Sequence, residues 1–378
     1  MSIRSYAPLM RIVVAPDKYA GTLSAVEAAR AIAEGWRRQA PGDEVDQCPM
    51  ADGGPGFLDV LHEALGGELV AATVRGPLGD PVPAGVLLVD DTAYVESAQA
   101  CGLHLVPSDR RDPERASSYG VGELVDAALR TGAERIVVGI GGSATNDAGA
   151  GLWAALGATS DGDLAAGATG LRGTTAVDLA PARARIGSME LILASDVDNP
   201  LLGMFGATNV YGPQKGLADD RKLAVDQILD ELVVAALGST PAERRLADEP
   251  GAGAAGGLGF GLFALGGTRR SGIAFVADTV GLAARARWAD LVITGEGAYD
   301  YSSRFGKVVF GVAEIAGQAV RPCVVLAGRV LVGTREMRAM GVESAYAMVD
   351  AVGEDAAMSE PDTSLAALAE RVARTWSH

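Results

Sequence analysis

The sequence predicts an α/β protein built around parallel sheet, on three observations. Short β-branched runs recur along the chain, stretches of helical spacing separate them, and one run empties into a glycine-rich polar segment before helical spacing resumes. The runs are Arg11-Ile-Val-Val-Ala15, Arg135-Ile-Val-Val-Gly139, Leu191-Ile-Leu-Ala194, Asp290-Leu-Val-Ile-Thr294 and Cys323-Val-Val-Leu-Ala327. A strand covered by helices on both faces reads as a continuous apolar run, because neither face meets water. Runs of this kind alternating with helices are the βαβ pattern.

The elements follow in order. After the first strand, Ser24-Ala-Val-Glu27 spells a capping box, and apolar positions continue through Ala28, Ile32, Ala33 and Trp36. Pro41-Gly42 should end that helix. A second apolar stripe, Leu124 to Leu129, closes at Thr131-Gly132 and delivers the chain into the strand at Arg135. The following Gly139-Ile-Gly-Gly-Ser-Ala-Thr-Asn-Asp147 lets backbone N–H groups approach an anion, with a helix expected to begin near Asp147 and add its N-terminal partial charge. Pro77 to Arg115 and Ala158 to Pro250 lack the regular alternation and suggest a second lobe. The tail after Gly353 reads as a surface turn and a final amphipathic helix over Leu365 to Val372.

Composition narrows the function. With 378 residues, two domains are expected. A formal charge of −16 argues against a broad nucleic-acid surface or an anionic membrane partner, so an anionic ligand needs a locally basic pocket. Cys48, Cys101 and Cys323 are odd in number and lack CxxC spacing, which fits a reducing cytoplasm and no disulfide framework. No run approaches the roughly 18 apolar residues of a membrane span. The histidines are His62, His104 and His378, too few and too scattered for a histidine metal centre. No segment has Walker P-loop spacing. Gly251-Ala-Gly-Ala-Ala-Gly256 spells G-x-G-x-x-G but follows a polar helical stretch, so it fails as a dinucleotide fingerprint.

Acids collect where strands end, which is where open α/β sheets bind ligands. Asp17 and Lys18 follow the first strand; Asn146 and Asp147 lie in the glycine segment; Asp196, Asp198 and Asn199 follow the third run; Glu296 and Asp300 follow the fourth. Gathered carboxylates need a cation, a proton or a lysine, and Mg²⁺ with a polyphosphate is one solution. Lys215 and Lys307 could complete the balance. For each acid the alternative is a helix N-cap.

These residues sit in a pattern that resembles the bacterial glycerate kinases of the first type, which phosphorylate D-glycerate with ATP. The resemblance spans nearly the whole chain. It rests on Ala15-Pro-Asp-Lys-Tyr-Ala-Gly-Thr-Leu-Ser-Ala25, Met50-Ala-Asp-Gly-Gly54, Tyr94-Val-Glu-Ser97, Ser118-Tyr-Gly-Val-Gly-Glu-Leu124, Gly139 to Asp147, Ser195-Asp-Val-Asp-Asn-Pro-Leu201, Gly212-Pro-Gln-Lys-Gly216, Pro250 to Gly257, and Ile293-Thr-Gly-Glu-Gly297 with Gly306-Lys307.

The resemblance implies a discontinuous Rossmann-like or flavodoxin-like parallel-sheet domain, over 10–76, 118–157 and 251–378. A second α/β domain, over 77–117 and 158–250, is inserted into it. It implies a kinase using ATP and Mg²⁺, acting on a small hydroxy acid in the cytoplasm, with no nucleic-acid or membrane partner and a homodimer left open. The expected product is 2-phosphoglycerate.

In that frame Asp196, Asp198, Lys215 and Lys307 are the expected catalytic set, and Gly141, Gly142, Ser143 and Asn146 the phosphate-binding set. Asp17, Lys18, Asp52, Asn199 and Asp300 are expected at the substrate, and Asp147 and Glu296 at the metal.

The chain also departs from the family pattern. Lys18-Tyr19-Ala20-Gly21 stands where the family has Ser-Phe-Lys-Gly, Pro55 replaces a glutamate, and Ala298 replaces an arginine. An arginine lost near a carboxylate substrate is not a conservative change. A kinase of another small hydroxy acid and a ligand-binding homologue without turnover therefore stand as alternatives. An NAD(P)-dependent oxidoreductase is a more distant one.

Overall fold

The computed structural model describes residues 9–19, 21–301 and 307–377. Expectations that fall on Ala20, Ser302, Ser303, Gly306 and His378 lie outside the described residues. The strands in chain order are β1 Arg11–Val14, β2 Glu44–Gln47, β3 Glu68–Arg75, β4 Pro81–Val89, β5 Thr92–Glu96, β6 Arg135–Gly139, β7 Thr159–Ser160, β8 Val177–Asp178, β9 Glu190–Ala194, β10 Thr268–Arg270, β11 Leu291–Tyr299, β12 Cys323–Val330 and β13 Ser344–Ala347. All five apolar runs form strands: β1, β6, β9, β11 and β12.

The fold falls into two compact units. The described residues of Met1–Asp52, Asp59–Leu65 and Ile273–His378 form the first. Its sheet has the order β13-β12-β11-β1-β2, and every neighbouring pair is parallel. Renumbered within the unit this is 2-1-3-4-5, the flavodoxin order, whose direction reverses between β1 and β11. Ile12, Val13 and Val14 of β1 are fully buried, as a strand flanked on both sides and covered on both faces must be.

The helix Ala25–Gln39 opens with the expected box. Ser24 Oγ accepts from the Glu27 N–H at 3.2 Å, and the Glu27 carboxylate accepts from the Ser24 N–H at 2.8 Å. Ile32 and Trp36 of this helix share a core with Ile12, Val14, Ile293, Leu326, Leu365 and Leu368. The last two belong to the C-terminal helix Pro361–Trp376, which starts before the expected stretch and ends after it. The two helices cross so closely that a Cβ on Gly35 would lie 2.0 Å from the Ala366 carbonyl oxygen.

Gly53–Leu58 and Gly66–Gly272 form the second unit. Its six-stranded sheet has the order β10-β9-β6-β5-β4-β3. The four strands β10, β9, β6 and β5 are parallel, and β4 and β3 extend the sheet as antiparallel neighbours. Register aligns Glu96, Gly139, Ala194 and Arg270 in one row across the parallel strands, so four carboxyl ends open at the same edge. Trp153 and Phe260 pack beside Ile136, Val138 and Leu193 in the core of this unit. β7 and β8 form a separate antiparallel pair.

Both units are α/β, as expected, but the chain is divided differently. The expected boundaries put 118–157 and 251–272 with the first strand. Instead Ile136, Val137 and Val138 of β6 find neighbours in Ala93–Val95 of β5 and Leu191–Leu193 of β9, which cover both edges of a strand too apolar to stand at the rim. The segments 77–117 and 158–250 thus supply the same unit as β6. Apolarity announces that a strand is internal without naming its neighbours. Among the described residues no helix is long and apolar enough to cross a membrane.

Gly35→Val should destabilise the protein by about 2 kcal/mol or more, because the added carbons meet rigid backbone and not a movable side chain. Denaturant titration checks this; an unchanged midpoint contradicts the described helix crossing.

Candidate active site

The glycine segment leaves β6 at the edge where the four carboxyl ends open. Ile140 donates its N–H to the Ala194 carbonyl at 3.1 Å, tying the exit of β6 to that of β9. Leu103 donates to the Gly142 carbonyl and Ala144 to the Cys101 carbonyl, each at 2.7 Å, so the segment is also tied to the chain following β5. Gly142 has φ +65°, and a Cβ there would lie 2.9 Å from the ring of Pro55. Pro55, the departure from the family pattern, is therefore a packing partner of this loop. The helix that follows runs over Ala150–Ala155, with left-handed Ala148 and Gly149 before it. It starts three residues later than expected because those two positions turn the chain out of helical geometry.

The second glycine motif is the other wall of the loop. Ala255, Gly256 and Gly257 are consecutively left-handed, with φ of 52°, 71° and 89°. A Cβ on Gly256 would come within 1.9 Å of the Thr145 carbonyl oxygen. The Gly256 carbonyl accepts from the Ala148 N–H at 3.1 Å, and the Ala255 carbonyl from Thr145 Oγ1 at 3.3 Å. G-x-G-x-x-G here permits one backbone to lie on another. Holding alanines 148 and 255 in the left-handed region costs roughly 1–2 kcal/mol each, which the surrounding contacts must offset.

Beneath the loop are buried polar groups. Asp147 is fully buried and accepts from the Ser118 N–H and Ser118 Oγ, each at 2.8 Å, and from the N–H groups of Gly149 and Gly151 at 3.1 and 3.2 Å. Burial raises its pKa although these hydrogen bonds pull it down. Both carboxylate oxygens of Asp147, which was expected at the metal, serve as acceptors that fold the loop onto Ser118. Asn146, expected at phosphate, is also fully buried; its Nδ2 donates to Thr208 Oγ1 at 3.0 Å, and its Oδ1 has no hydrogen-bond partner. Lys215, expected to neutralise the transferring phosphoryl group, is only 3% exposed. Its ammonium donates to the Thr145 carbonyl at 2.7 Å and to Ser143 Oγ at 3.0 Å.

Beyond β9 the three candidates part company. Asp196 is half-buried, and its Oδ1 accepts from Ser271 Oγ at 2.5 Å, joining the ends of β9 and β10. Asp198, expected beside Asp196 in the catalytic set, is exposed and ion-paired to Arg269 at 2.6 Å. Asn199, expected at substrate, holds its own turn: Nδ2 donates to the Phe205 carbonyl and Oδ1 accepts from Tyr211 Oη. Glu96, at the end of β5, was not among the expected site residues. It accepts from the N–H groups of Gly56 and Leu58 at 3.1 and 3.2 Å, fixing the segment that carries Pro55. Its place in Tyr94-Val-Glu-Ser97, at a strand end, was the available signal.

A separate cluster occupies the switch point of the first unit. Asp17 donates its N–H to the Gly295 carbonyl at 2.8 Å, and Thr294 Oγ1 donates to the Ala15 carbonyl at 2.8 Å, locking the ends of β1 and β11 together. Lys18 Nζ lies 3.5 Å from Asp17 and 3.8 Å from Asp52. Burial pushes the Asp17 carboxyl up to about 6; Lys18 opposes that rise and Asp52 adds to it. Glu296 is buried and, with Asp17, helps to raise the pKa of Tyr19, whose main cause is burial. Tyr19 Oη donates to the Leu326 carbonyl at 2.5 Å. Asp300 follows β11 and is partly buried, and Lys307 immediately precedes the helix Val308–Gln318. Of the sequence-predicted residues, the structure thus brings Asp17, Lys18, Asp52 and Glu296 into one cluster. It brings Gly141, Gly142, Ser143, Asn146, Asp147 and Lys215 into another.

Parallel strand ends carrying acids in one unit and a glycine loop over a buried lysine in the other mark an α/β kinase. The glycerate kinase family profile matches residues 12–377. The chain is 41% identical over 350 residues to the glycerate kinase of Bacillus subtilis, covering 90% of each chain, and 38% identical over 354 residues to the glycerate 2-kinase of Escherichia coli, covering 91% and 92%. A crystal structure of a candidate glycerate kinase 2 from Salmonella typhimurium LT2 superposes with a TM-score of 0.79 at 37% identity, over 97% of this chain and 98% of that one. This chain belongs to the glycerate kinase family, a family of ATP-dependent phosphotransferases.

Asp17→Asn should raise the stability of the unligated protein at pH 7. An acid whose folded pKa stands near 6, against an ordinary 3.8, stabilises the fold below the lower value and loses that contribution as pH climbs through the higher one. The amide removes the charge that burial opposes, so a gain of up to about 2 kcal/mol and a flatter stability profile between the two values are expected. Denaturant titrations across that range check it; a lower midpoint with an unaltered profile contradicts the assignment.

Proposed function

We propose that this protein transfers the γ-phosphoryl group of ATP to D-glycerate, giving 2-phosphoglycerate. The observation that carries the reading is the match of residues 12–377 to the glycerate kinase family. The geometry supplies what phosphoryl transfer asks of a protein, which is positioning and fixed charge more than covalent participation.

In the second unit the Gly141–Ser143 backbone would cradle phosphate oxygens at a row of strand ends, on N–H groups that glycine leaves open to approach. Asp196 would accept the proton of the attacking hydroxyl. Its hydrogen bond from Ser271 fixes the carboxylate at the end of β9. Lys307, at the start of a helix in the first unit, would add positive charge, and Asp300 would contact the acid substrate.

ATP chemistry takes Mg²⁺, and the donor set at the first unit's switch point fits that ion. Mg²⁺ is usually held by one or two carboxylates with substrate phosphates and water completing its shell. Asp17 and Asp52 flank one ammonium and Glu296 stands on the adjoining strand; burial, with Asp52 adding to it, raises Asp17 to about 6 against the pull of Lys18. Among the described residues no three acid, histidine or cysteine side chains gather into a group able to hold a metal ion. Asp17 and Asp52 would hold it, and when bound it would neutralise phosphate charge. Lys18 would then be freed toward the carboxylate of the acid.

A kinase of a different small hydroxy acid is the second reading. It is favoured by Ala298, an exposed position on β11 where the family carries arginine. Direct detection of phosphorylated product from D-glycerate, L-glycerate, lactate and tartronate, each with ATP and Mg²⁺, decides between the two. D-Glycerate should be turned over with the highest kcat/KM, and product from another acid alone would reject the glycerate assignment. Asp196→Asn should lower kcat by about 100-fold; near-normal turnover would remove Asp196 from the proton-transfer role.

A further inference from the structure

Lys215 is among the least expected side chains in the molecule. A lysine is almost never fully buried unless something demands it, and this one lies in the second unit directly under the glycine loop. It is presented by a short 3-10 turn, Pro213–Lys215, within Gly212-Pro-Gln-Lys-Gly216. Its two hydrogen-bond partners bracket Ala144: Ser143 Oγ at 3.0 Å and the Thr145 carbonyl at 2.7 Å. Its charge faces two titratable groups, the Cys101 thiol, which burial holds up at about 12, and the Asp147 carboxyl. Asp147 spends its oxygens on Ser118, Gly149 and Gly151, so lysine and aspartate grip successive parts of the same loop from the same side.

We propose that Lys215 is a positioning residue: its ammonium fixes the loop from inside through Ser143 and Thr145, and does not touch the transferring phosphoryl group. This rests on the reading of Gly141–Ser143 as the phosphate-binding backbone. The physical reason is that a run of glycines and left-handed residues has many accessible conformations, and a charged donor bonded to two points of it selects one. The same two atoms could be read as a serine nucleophile with a lysine base. The burial of Ser143, itself only 4% exposed, argues otherwise.

The charge state gives the test a second handle. Burial lowers the Lys215 ammonium to about 8 from the ordinary 10.5. Deprotonation above pH 8 should loosen the loop and weaken ATP binding. Global stability should move the other way: between about 8 and 10.5 the unfolded chain binds the extra proton, so folding gains with rising pH. A fall in ATP affinity across a range where the protein becomes more stable cannot be ascribed to unfolding.

The test compares the full-length protein with Lys215→Met, Lys215→Arg, Ser143→Ala and the Lys215→Met, Ser143→Ala double variant. Calorimetric ATP binding with Mg²⁺, steady-state kinetics, amide hydrogen exchange over residues 143–149 and intact mass after exposure to ATP are measured. Lys215→Met should raise the Kd and KM for ATP about tenfold or more and speed exchange in the loop. Ser143→Ala should do so more weakly, and the double variant should be no worse than Lys215→Met, because the pair acts as one unit. The rise in Kd above pH 8 should vanish in Lys215→Met, and Lys215→Arg should restore part of the affinity.

Normal ATP binding with a collapsed kcat in Lys215→Met would overturn the proposal, as would strict additivity or a phosphoryl group on Ser143. Should Lys215→Met fail to fold, Ser143→Ala decides alone, and loop exchange identical to wild type rejects the role. If the wild-type protein takes up no ATP, the functional reading fails; the exchange comparison still judges whether Lys215 holds the loop.

Discussion

The second unit depends on backbone laid against backbone where no side chain fits. Gly256 crosses Thr145 at a distance that a Cβ would reduce to 1.9 Å, and Gly142 meets the Pro55 ring. Contact this close excludes water from the peptide groups involved, so each must find a partner inside the protein. The loop finds them in the Gly256, Ala194 and Cys101 carbonyls, in the Asp147 carboxylate and in the Lys215 ammonium. Strain at Ala148 and Ala255 persists because these partners over-determine the conformation. What results is a tightly held loop at the carboxyl ends of four parallel strands.

Charge is handled by the same logic in both units. The chain is strongly acidic overall, yet the interior of each cluster places a lysine near its carboxylates: Lys215 with Asp147 in one unit, Lys18 with Asp17 and Asp52 in the other. Burial outweighs the partners in both: four donors serve Asp147 and Lys18 serves Asp17, yet each carboxyl is raised above its ordinary range. Under-compensation of a buried group is a standing cost in the unligated fold, and groups that carry such a cost tend to be those a ligand completes.

Much of this was legible in the residues. The parallel strands could be read because their β-branched runs are too apolar to be exposed, and the capping box at Ser24 because its atoms are local. The glycine segment after β6 was visible for the same reason. Sheet partnership was not, because Ile136–Val138 would suit any internal position and nothing in the run names β5 or β9. What Asp147, Asp198 and Lys215 touch could not be read from their company in the chain. An acid at a strand end looks alike whether it faces a ligand, as expected for Asp198, or pairs with an arginine 71 positions away, as Arg269 does. Likewise G-x-G-x-x-G at residue 251 could be rejected as a dinucleotide site by context, while its use as a wall for the loop required the third dimension.

The central claim is that Asp147 and the glycine crossing hold the loop as rigidly as the core. Native-state hydrogen exchange at the amides of Ser118, Gly149 and Gly151, all donors to Asp147, tests it most directly. They should exchange only through global unfolding, with protection equal to that of the β6 amides and denaturant dependence to match. Rapid exchange insensitive to denaturant, with the β6 amides still protected, would show a loop that opens by itself and would contradict the account.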